Sequence, residues 1–315
     1  MLLAPLLLAA GRSDDTDFAL TALRAEDARI ATVAYRIAVA NRDLCPLKSP
    51  WFGAVVHELR QYAPRYRPAV TRVFDLGPGP ALAAVVPGGA ADRAGAQVGD
   101  RITAINGIRV DATPPGKGEK ANYSGVERVL ARLANASRVG PVAVTVERAG
   151  TPVTYDLVPD RGCRSQVQLE TSDTLNAGAD GTMISIGLEA AAAAQNDDEL
   201  AISIAHEMAH NILAHRDRLD RAGVERDAKV RNPQDALEIR KTEDEADLLG
   251  LYLVAQAGYD IDVAPPYWER LSGAGDATHA GGTERRAMTQ RIVDEIKASR
   301  ARGEPLTPPI AIPQP

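Results

Sequence analysis

The chain has 315 residues, enough at roughly 150 per domain for about two domains. Its 36 Lys and Arg against 42 Asp and Glu give a net charge of −6 and a pI near 5.5, which argues against a nucleic-acid partner that needs a basic face. Apolar residues at 45% and charged residues at 25% exclude collagen-like and wholly disordered chains, and no run of about 18 apolar residues supplies a spanning helix.

Residues 1–10, MLLAPLLLAA, followed by GRSDD, have the apolar core and small-residue end of a secretory signal. No basic segment precedes the run, and Gly11 stands where a lipoprotein signal needs Cys. The expectation is export to a periplasmic or other extracytoplasmic space. The alternatives are a frayed apolar start and an uncleaved N-terminus that associates with a membrane. Cys45 and Cys163 are the only cysteines, and their spacing is not a metal pattern. In an oxidising compartment they are expected to form a disulfide; in a cytosolic protein they would be two buried thiols.

Leu20, Leu23, Ile30, Val33, Ile37 and Leu44 approach helical spacing and predict a long amphipathic helix over 15–44. Ser49 as N-cap and Pro50 at the first helical position predict a second helix to about residue 62. His57 falls on it and is read as a surface or packed histidine. From about 70 to 159 the pattern changes to strand-like runs at 83–86, 101–105, 142–147 and 153–157, with one helix at 123–134 and a Pro, Gly and Lys-rich loop at 111–121. Asn106-Gly107 is a hairpin turn that needs positive φ. From about 161 to 300 the chain reads as mostly helical, and the proline-rich 305–315 as a disordered tail.

The stretch VVPGGAADRAGAQVGDRITAINGIRV (85–110) resembles the PDZ domain of bacterial envelope proteases. That resemblance implies a groove for an extended chain end, placed between the strand at 83–86 and the helix at 123–134, with Leu76-Gly77 as a candidate carboxylate-binding loop. The alternative is a PDZ fold used as a spacer.

Residues 196–221 carry the chemistry. Asn196 with Glu199 three residues on is a capping-box-like start. The helix then bears His206-Glu207-Met208-Ala209-His210, an HExxH motif. Histidines at i and i+4 lie about 40° apart on one face, so both imidazoles can reach one metal ion. Borderline-soft zinc suits two nitrogens and a carboxylate oxygen. A second helix, from Asn232 and Pro233 to Gly258, offers Glu243 and Asp247, again at i and i+4. Glu243 can complete the metal site and Asp247 can orient one histidine through its other ring nitrogen. His215, nine residues after His206, would project about 180° away on a continuous helix and is not expected to bind the same ion. Gly250 is expected to permit close helix packing.

HExxH followed by ExxxD inside EDEADLLGLYLVAQAGYD resembles the zinc endopeptidase family of the CAAX prenyl protease, HtpX and BepA. Asn176-Ala177-Gly178-Ala179 resembles that family's NAFA-type segment with Gly178 in place of the aromatic, and 278–286 resembles its THPxTxxR segment with Ala280 for Pro and one extra residue. The resemblance covers about 160–295. It implies an α+β fold: a mainly helical zincin-like metalloprotease domain, preceded by a PDZ β-barrel-like domain and N-terminal helices. The expected division is a signal-like segment 1–14, a helical region 15–69, a PDZ domain 70–160, a peptidase domain 161–300 and a tail 301–315.

The implied ligands of one zinc ion per chain are His206, His210 and Glu243. Glu207 is the implied general base, passing a proton from the attacking water to the leaving amine. His279 is implied as a second electrophile or a gate, against the alternative of a structural histidine. Substrate is expected along Asn176, Ala177 and the strand Thr182, Met183, Ile184 and Ser185. The expected partners are polypeptide substrates, unfolded or misassembled envelope proteins among them, and a peptide or C-terminal tail in the PDZ groove. The competing reading is a PDZ-based binding or regulatory protein whose zinc site is latent or inactive.

Overall fold

The computed structural model describes residues 13–171, 177–226 and 232–314, so Asn176 and the signal-like segment up to residue 12 lie outside the described residues. The fold is mixed α+β, and the chain divides into two compact units. One comprises residues 1–35 and 50–161, the other 36–49 and 162–315. No helix among the described residues is long and apolar enough to cross a membrane.

The elements follow in chain order. Helix α1 (Ser13–Ala40) contributes its first part to the first unit, where Leu20 packs with Val70 and Phe74. Strands β1 (Lys48–Trp51) and β2 (Ala54–His57) follow, then a 3-10 turn at Leu59–Gln61. The helix expected over 49–62 is therefore absent. The Ser-Pro pair opens a strand instead, Gly53 takes a positive φ of 69°, and the β-branched Val55 and Val56 favour the extended chain that follows. Of the two expected N-terminal helices α1 forms, and a short helix that was not expected, α2 (Arg67–Phe74), follows.

Strand β3 (Ala81–Val85), helix α3 (Ala90–Arg93), strands β4 (Arg101–Ile105) and β5 (Ile108–Arg109), helix α4 (Ser124–Ala136), and strands β6 (Val142–Arg148) and β7 (Thr151–Leu157) complete the first unit's main layer. Asn106 and Gly107 both take positive φ, 48° and 73°, and make the β4–β5 hairpin. The sheet order is β2-β3-β4-β6-β7, with β5 paired to β4. Period-two burial of Val142, Val144 and Val146 and a helical stripe of Val126, Val129 and Leu133 enclose one core.

One expectation is corrected here. The sheet begins at β2, so its first strand lies inside the region expected to be helical and N-terminal to residue 70. Strand β3 pairs with β4 at Ala81 alone, while its Ala84 and Val85 pair with Val55 and Ala54 of β2. The strand at the edge beside α4 is β2. The side chain of Leu76, in the candidate carboxylate loop, is buried and packs with Val70 and Phe74.

Strand β8 (Asp160–Cys163) pairs with β1. The second unit then holds β9 (Gln166–Glu170), β10 (Ala177–Ala179), β11 (Met183–Gly187), α5 (Leu188–Ala193), α6 (Asp197–Ile212), α7 (His215–Arg221), α8 (Pro233–Gln256), α9 (Ala264–Leu271) and α10 (Gly282–Ala301). Cys45 and Cys163 are joined with a Cα separation of 5.3 Å across 118 positions of sequence. The end of α1 also serves this unit: Arg36 donates to the carbonyls of Ala257 (2.7 Å) and Gly258 (2.9 Å), capping the C-terminus of α8.

The segment after α10 was expected to be a disordered tail. It is described to Gln314, with the Leu306 carbonyl accepting from the Gln256 side chain at 2.7 Å and Pro308 buried. Proline fixes φ and has little chain entropy to lose, so a few such contacts suffice to hold it.

Candidate metal centre

Helix α6 starts where its cap dictates. The Asn196 side chain accepts from the Glu199 amide at 2.9 Å, and Glu199 reaches back to the Gln195 amide at 2.7 Å. Helix α8 starts with Asn232 accepting from the Gln234 amide and Pro233 in its first turn. The two helices touch backbone to backbone at Gly250. A Cβ there would lie 3.1 Å from the His206 amide nitrogen and 3.2 Å from its Cα. That approach brings the HExxH face of α6 against the acidic face of α8.

His206, His210 and Glu243 converge. The two Nε2 atoms are 3.2 Å apart, Glu243 Oε2 is 3.2 Å from His206 Nε2, and Glu243 Oε1 is 3.6 Å from His210 Nε2. Zinc bonds of about 2.0–2.1 Å in a tetrahedron separate ligand atoms by about 3.3 Å. The two Nε2 atoms lie about one such edge apart, and the three residues, each offering one ligand atom within 4.8 Å of the others, form a possible metal-binding triad among those described. The donor set, two imidazole nitrogens and one carboxylate, also suits zinc.

The surroundings orient the triad. His206 Nδ1 meets Asp247 Oδ1 at 2.9 Å. A carboxylate only accepts, so Nδ1 carries a proton, and Nε2 is the ring nitrogen that faces Glu243. Asp247 is held in turn by a bidentate Arg285 on α10, at 2.7 and 2.6 Å. The Arg285 guanidinium stacks 3.3 Å from the Trp268 ring centre, and the Trp268 ring meets His206 at 5.5 Å. Burial alone would push the His206 imidazole down; its hydrogen bonds to Asp247 and Glu243 overcome this and hold it up at about 10. Burial would likewise raise Glu243, but hydrogen bonds from His206 and His210 hold it well below the usual carboxylate range. Asp247 is also held low: the Arg285 charge and His206 outweigh its burial. The site is built to favour positive charge.

Glu207 follows His206 on α6 and is buried. His279 lies half-exposed in the loop before α10, with Nε2 3.5 Å from Glu243 Oε2. Asp276 shapes that loop, accepting from the amides of Thr278 (2.7 Å) and His279 (2.8 Å). Close packing marks the start of α10: a Cβ on Gly282, its first residue, would lie 2.5 Å from the Glu269 carbonyl oxygen.

His215 departs from expectation in its direction. Helix α6 ends at Ile212 and Ala214 takes a positive φ of 50°, so α7 begins a new helix and turns His215 back. Its Nδ1 lies 2.9 Å from His210 Nδ1, and its Nε2 lies 3.0 Å from Glu245 Oε2, which Arg218 also contacts at 2.7 Å. Burial chiefly lowers the His215 imidazole to about 4. Glu245 is held low because hydrogen bonds from His215 and Arg218 outweigh its burial. His215 is not among the converging ligand atoms.

The strand expected to hold substrate lies at the centre of its sheet. The three-stranded sheet has the order β10-β11-β9, with β10 antiparallel and β9 parallel to β11. Met183, Ile184 and Ser185 therefore lie on a central strand whose edges are taken, and Thr182 lies in the preceding turn. Ala177 lies on β10, an edge strand. Asn211, the residue after His210, ties this sheet to the metal site: its Oδ1 accepts from the Gly181 amide at 2.7 Å and its Nδ2 donates to Ser165 at 2.6 Å. Sequence reasoning assigned no role to Asn211, Arg285, Glu245 or Trp268. All act across elements, and only the placement of Arg285 within the segment 278–286 pointed towards one of them.

Residues 82–116, running from β3 through the β4–β5 hairpin into the following loop, match the PDZ domain family, a protein- or peptide-binding module. No curated protein matches the chain.

Proposed function

We propose that the protein is an exported zinc endopeptidase that hydrolyses unfolded or misassembled envelope proteins and carries a PDZ module for substrate or partner binding. The observation that carries the reading is the convergence of His206 Nε2, His210 Nε2 and the Glu243 carboxylate, the two nitrogens 3.2 Å apart and lying 3.2 and 3.6 Å from one or the other carboxylate oxygen. Bound zinc would supply Lewis acidity towards a water and a scissile carbonyl. His206 and His210 hold it from one helix, and Glu243 from another. Glu207 takes a proton from the attacking water and passes it to the leaving amine. His279, on the exposed side of Glu243, is placed to meet the developing oxyanion or to close over the site. The substrate backbone adds to the edge of β10, next to the site through Asn211. The Cys45–Cys163 pairing supports an oxidising compartment.

A second reading is favoured by the PDZ match: a peptide-binding protein in which the metal site is latent or inactive. Casein cleavage by the wild type beside Glu207→Gln, with zinc determined in both, separates the two. One zinc per chain in both, with cleavage in the wild type alone, supports the protease. Zinc in both and cleavage in neither supports the binding protein.

A further inference from the structure

We infer that His215 is a positioning residue, which fixes the ring orientation and tautomer of His210 through a relay running Arg218, Glu245, His215, His210. The inference rests on the zinc reading of the triad. Its geometry is a continuous chain of contacts: Arg218 to Glu245 at 2.7 Å, Glu245 to His215 Nε2 at 3.0 Å, and His215 Nδ1 to His210 Nδ1 at 2.9 Å.

The direction of every hydrogen in this chain follows from its ends. An ionised carboxylate has no hydrogen to give, so Glu245 accepts and the His215 Nε2 donates. A neutral imidazole with its hydrogen on Nε2 has an acceptor at Nδ1. The His210 Nδ1 therefore donates to it, so that in the zinc-loaded protein the His210 Nε2 lone pair would be left to the metal ion. The opposite tautomer of His210 would place a hydrogen on the atom that has to bind the metal ion. His215 thus does for His210 what Asp247 does directly for His206. The aromatic geometry agrees: the His210 and His215 rings meet edge to face with centres 4.8 Å apart, so neither stacks over the other's ring nitrogens.

Two substitutions separate positioning from packing. His215→Gln keeps an acceptor for His210 and a donor for Glu245. His215→Leu fills a similar volume with neither. Zinc affinity is measured by competition with a chromophoric chelator, alongside the melting temperature of the metal-free protein, which reads packing alone. The expected result is a 10–100-fold loss of affinity for Leu, the range seen when the partner of a ligating histidine is removed, and recovery of most of it by Gln. In the zinc-loaded wild type, ¹⁵N shifts are expected to show His215 protonated at Nε2 and bare at Nδ1, a readout that stands even if the Leu variant does not fold. Wild-type affinity in the folded Leu variant, or a proton on His215 Nδ1, overturns the relay while leaving the zinc reading intact. Failure of the wild type itself to bind zinc above a His206→Ala control removes the zinc reading, and the relay with it.

Discussion

Gly250→Ala tests whether helix contact sets the metal geometry. In an exposed helix interior this change is favourable by about 1 kcal/mol, because Gly loses more backbone freedom than Ala. At this position the new Cβ would meet the His206 amide nitrogen at 3.1 Å, the His206 Cα at 3.2 Å and the Ala205 carbonyl carbon at 3.3 Å. All three are backbone atoms of α6, which cannot rotate away. Relief requires α6 and α8 to separate by a few tenths of an ångström, and overpacking of this kind costs about 1–3 kcal/mol. The steric cost meets or exceeds the propensity gain, so the net effect is a loss of up to about 2 kcal/mol. At ~2–4 °C per kcal/mol, the melting temperature falls by several degrees.

The same movement reaches the ligands. Glu243 lies two turns along α8 from Gly250, and its Oε2 sits 3.2 Å from His206 Nε2. A shift of a few tenths of an ångström exceeds the ~0.2 Å that metal sites tolerate, so zinc affinity falls roughly tenfold. Gly250→Val enlarges both effects. Calorimetry of the metal-free protein and chelator competition on the loaded one read the two consequences. A higher melting temperature for Gly250→Ala with unaltered zinc affinity would refute the reasoning.

Two further predictions concern stability. Replacing Cys45 and Cys163 together by Ala removes a cross-link spanning 118 positions, and the chain-entropy estimate for such a loop is about 4–5 kcal/mol; urea unfolding should show a midpoint shift of that order, and coincident curves would mean that the bridge does not form. The buried His57 is held down from 6.5 to about 4, first by desolvation and then by Arg24. Its neutral form therefore contributes stability at neutral pH that is lost as pH falls from 6.5 through 4, about 3 kcal/mol in all. Asp27, raised to about 6 by burial and by Glu26, acts in the opposite sense and blunts the whole-protein curve. The stability difference between wild type and His57→Gln isolates the histidine and should shrink by about that amount between pH 7 and pH 4; a flat difference would refute it.

The sequence was most legible where one element holds the whole message. Asn196 and Glu199, His206 and His210, and Glu243 and Asp247 each lie within one or two helical turns, so spacing alone fixes their shared face. Asn106-Gly107 is equally local. Misreadings arose where the outcome depends on a distant partner. Ser49-Pro50 suits a helix start or a strand start, and pairing with β8 decides for the strand. The same holds for sheet edges. Nothing within 182–186 reveals that both edges are occupied, because β9 and β10 occupy them from elsewhere in the chain. His215 was misdirected by extending a helix past Ala214, whose left-handed backbone begins α7.

These long-range contacts bear on the chemistry through one repeated device. Each histidine of the triad turns its Nδ1 away from the metal position, towards an acceptor anchored by an arginine. For His206 the acceptor is the Asp247 carboxylate, clamped by Arg285. For His210 it is His215, made an acceptor by Glu245, which Arg218 holds. An isolated imidazole divides its proton between two nitrogens, and a site of two such rings would present both lone pairs to a cation only part of the time. Anchoring both Nδ1–H groups from outside removes that loss when the Nε2 atoms bind an ion. The arginines keep the anchoring carboxylates ionised and so unable to donate, which is the one property the arrangement requires of them.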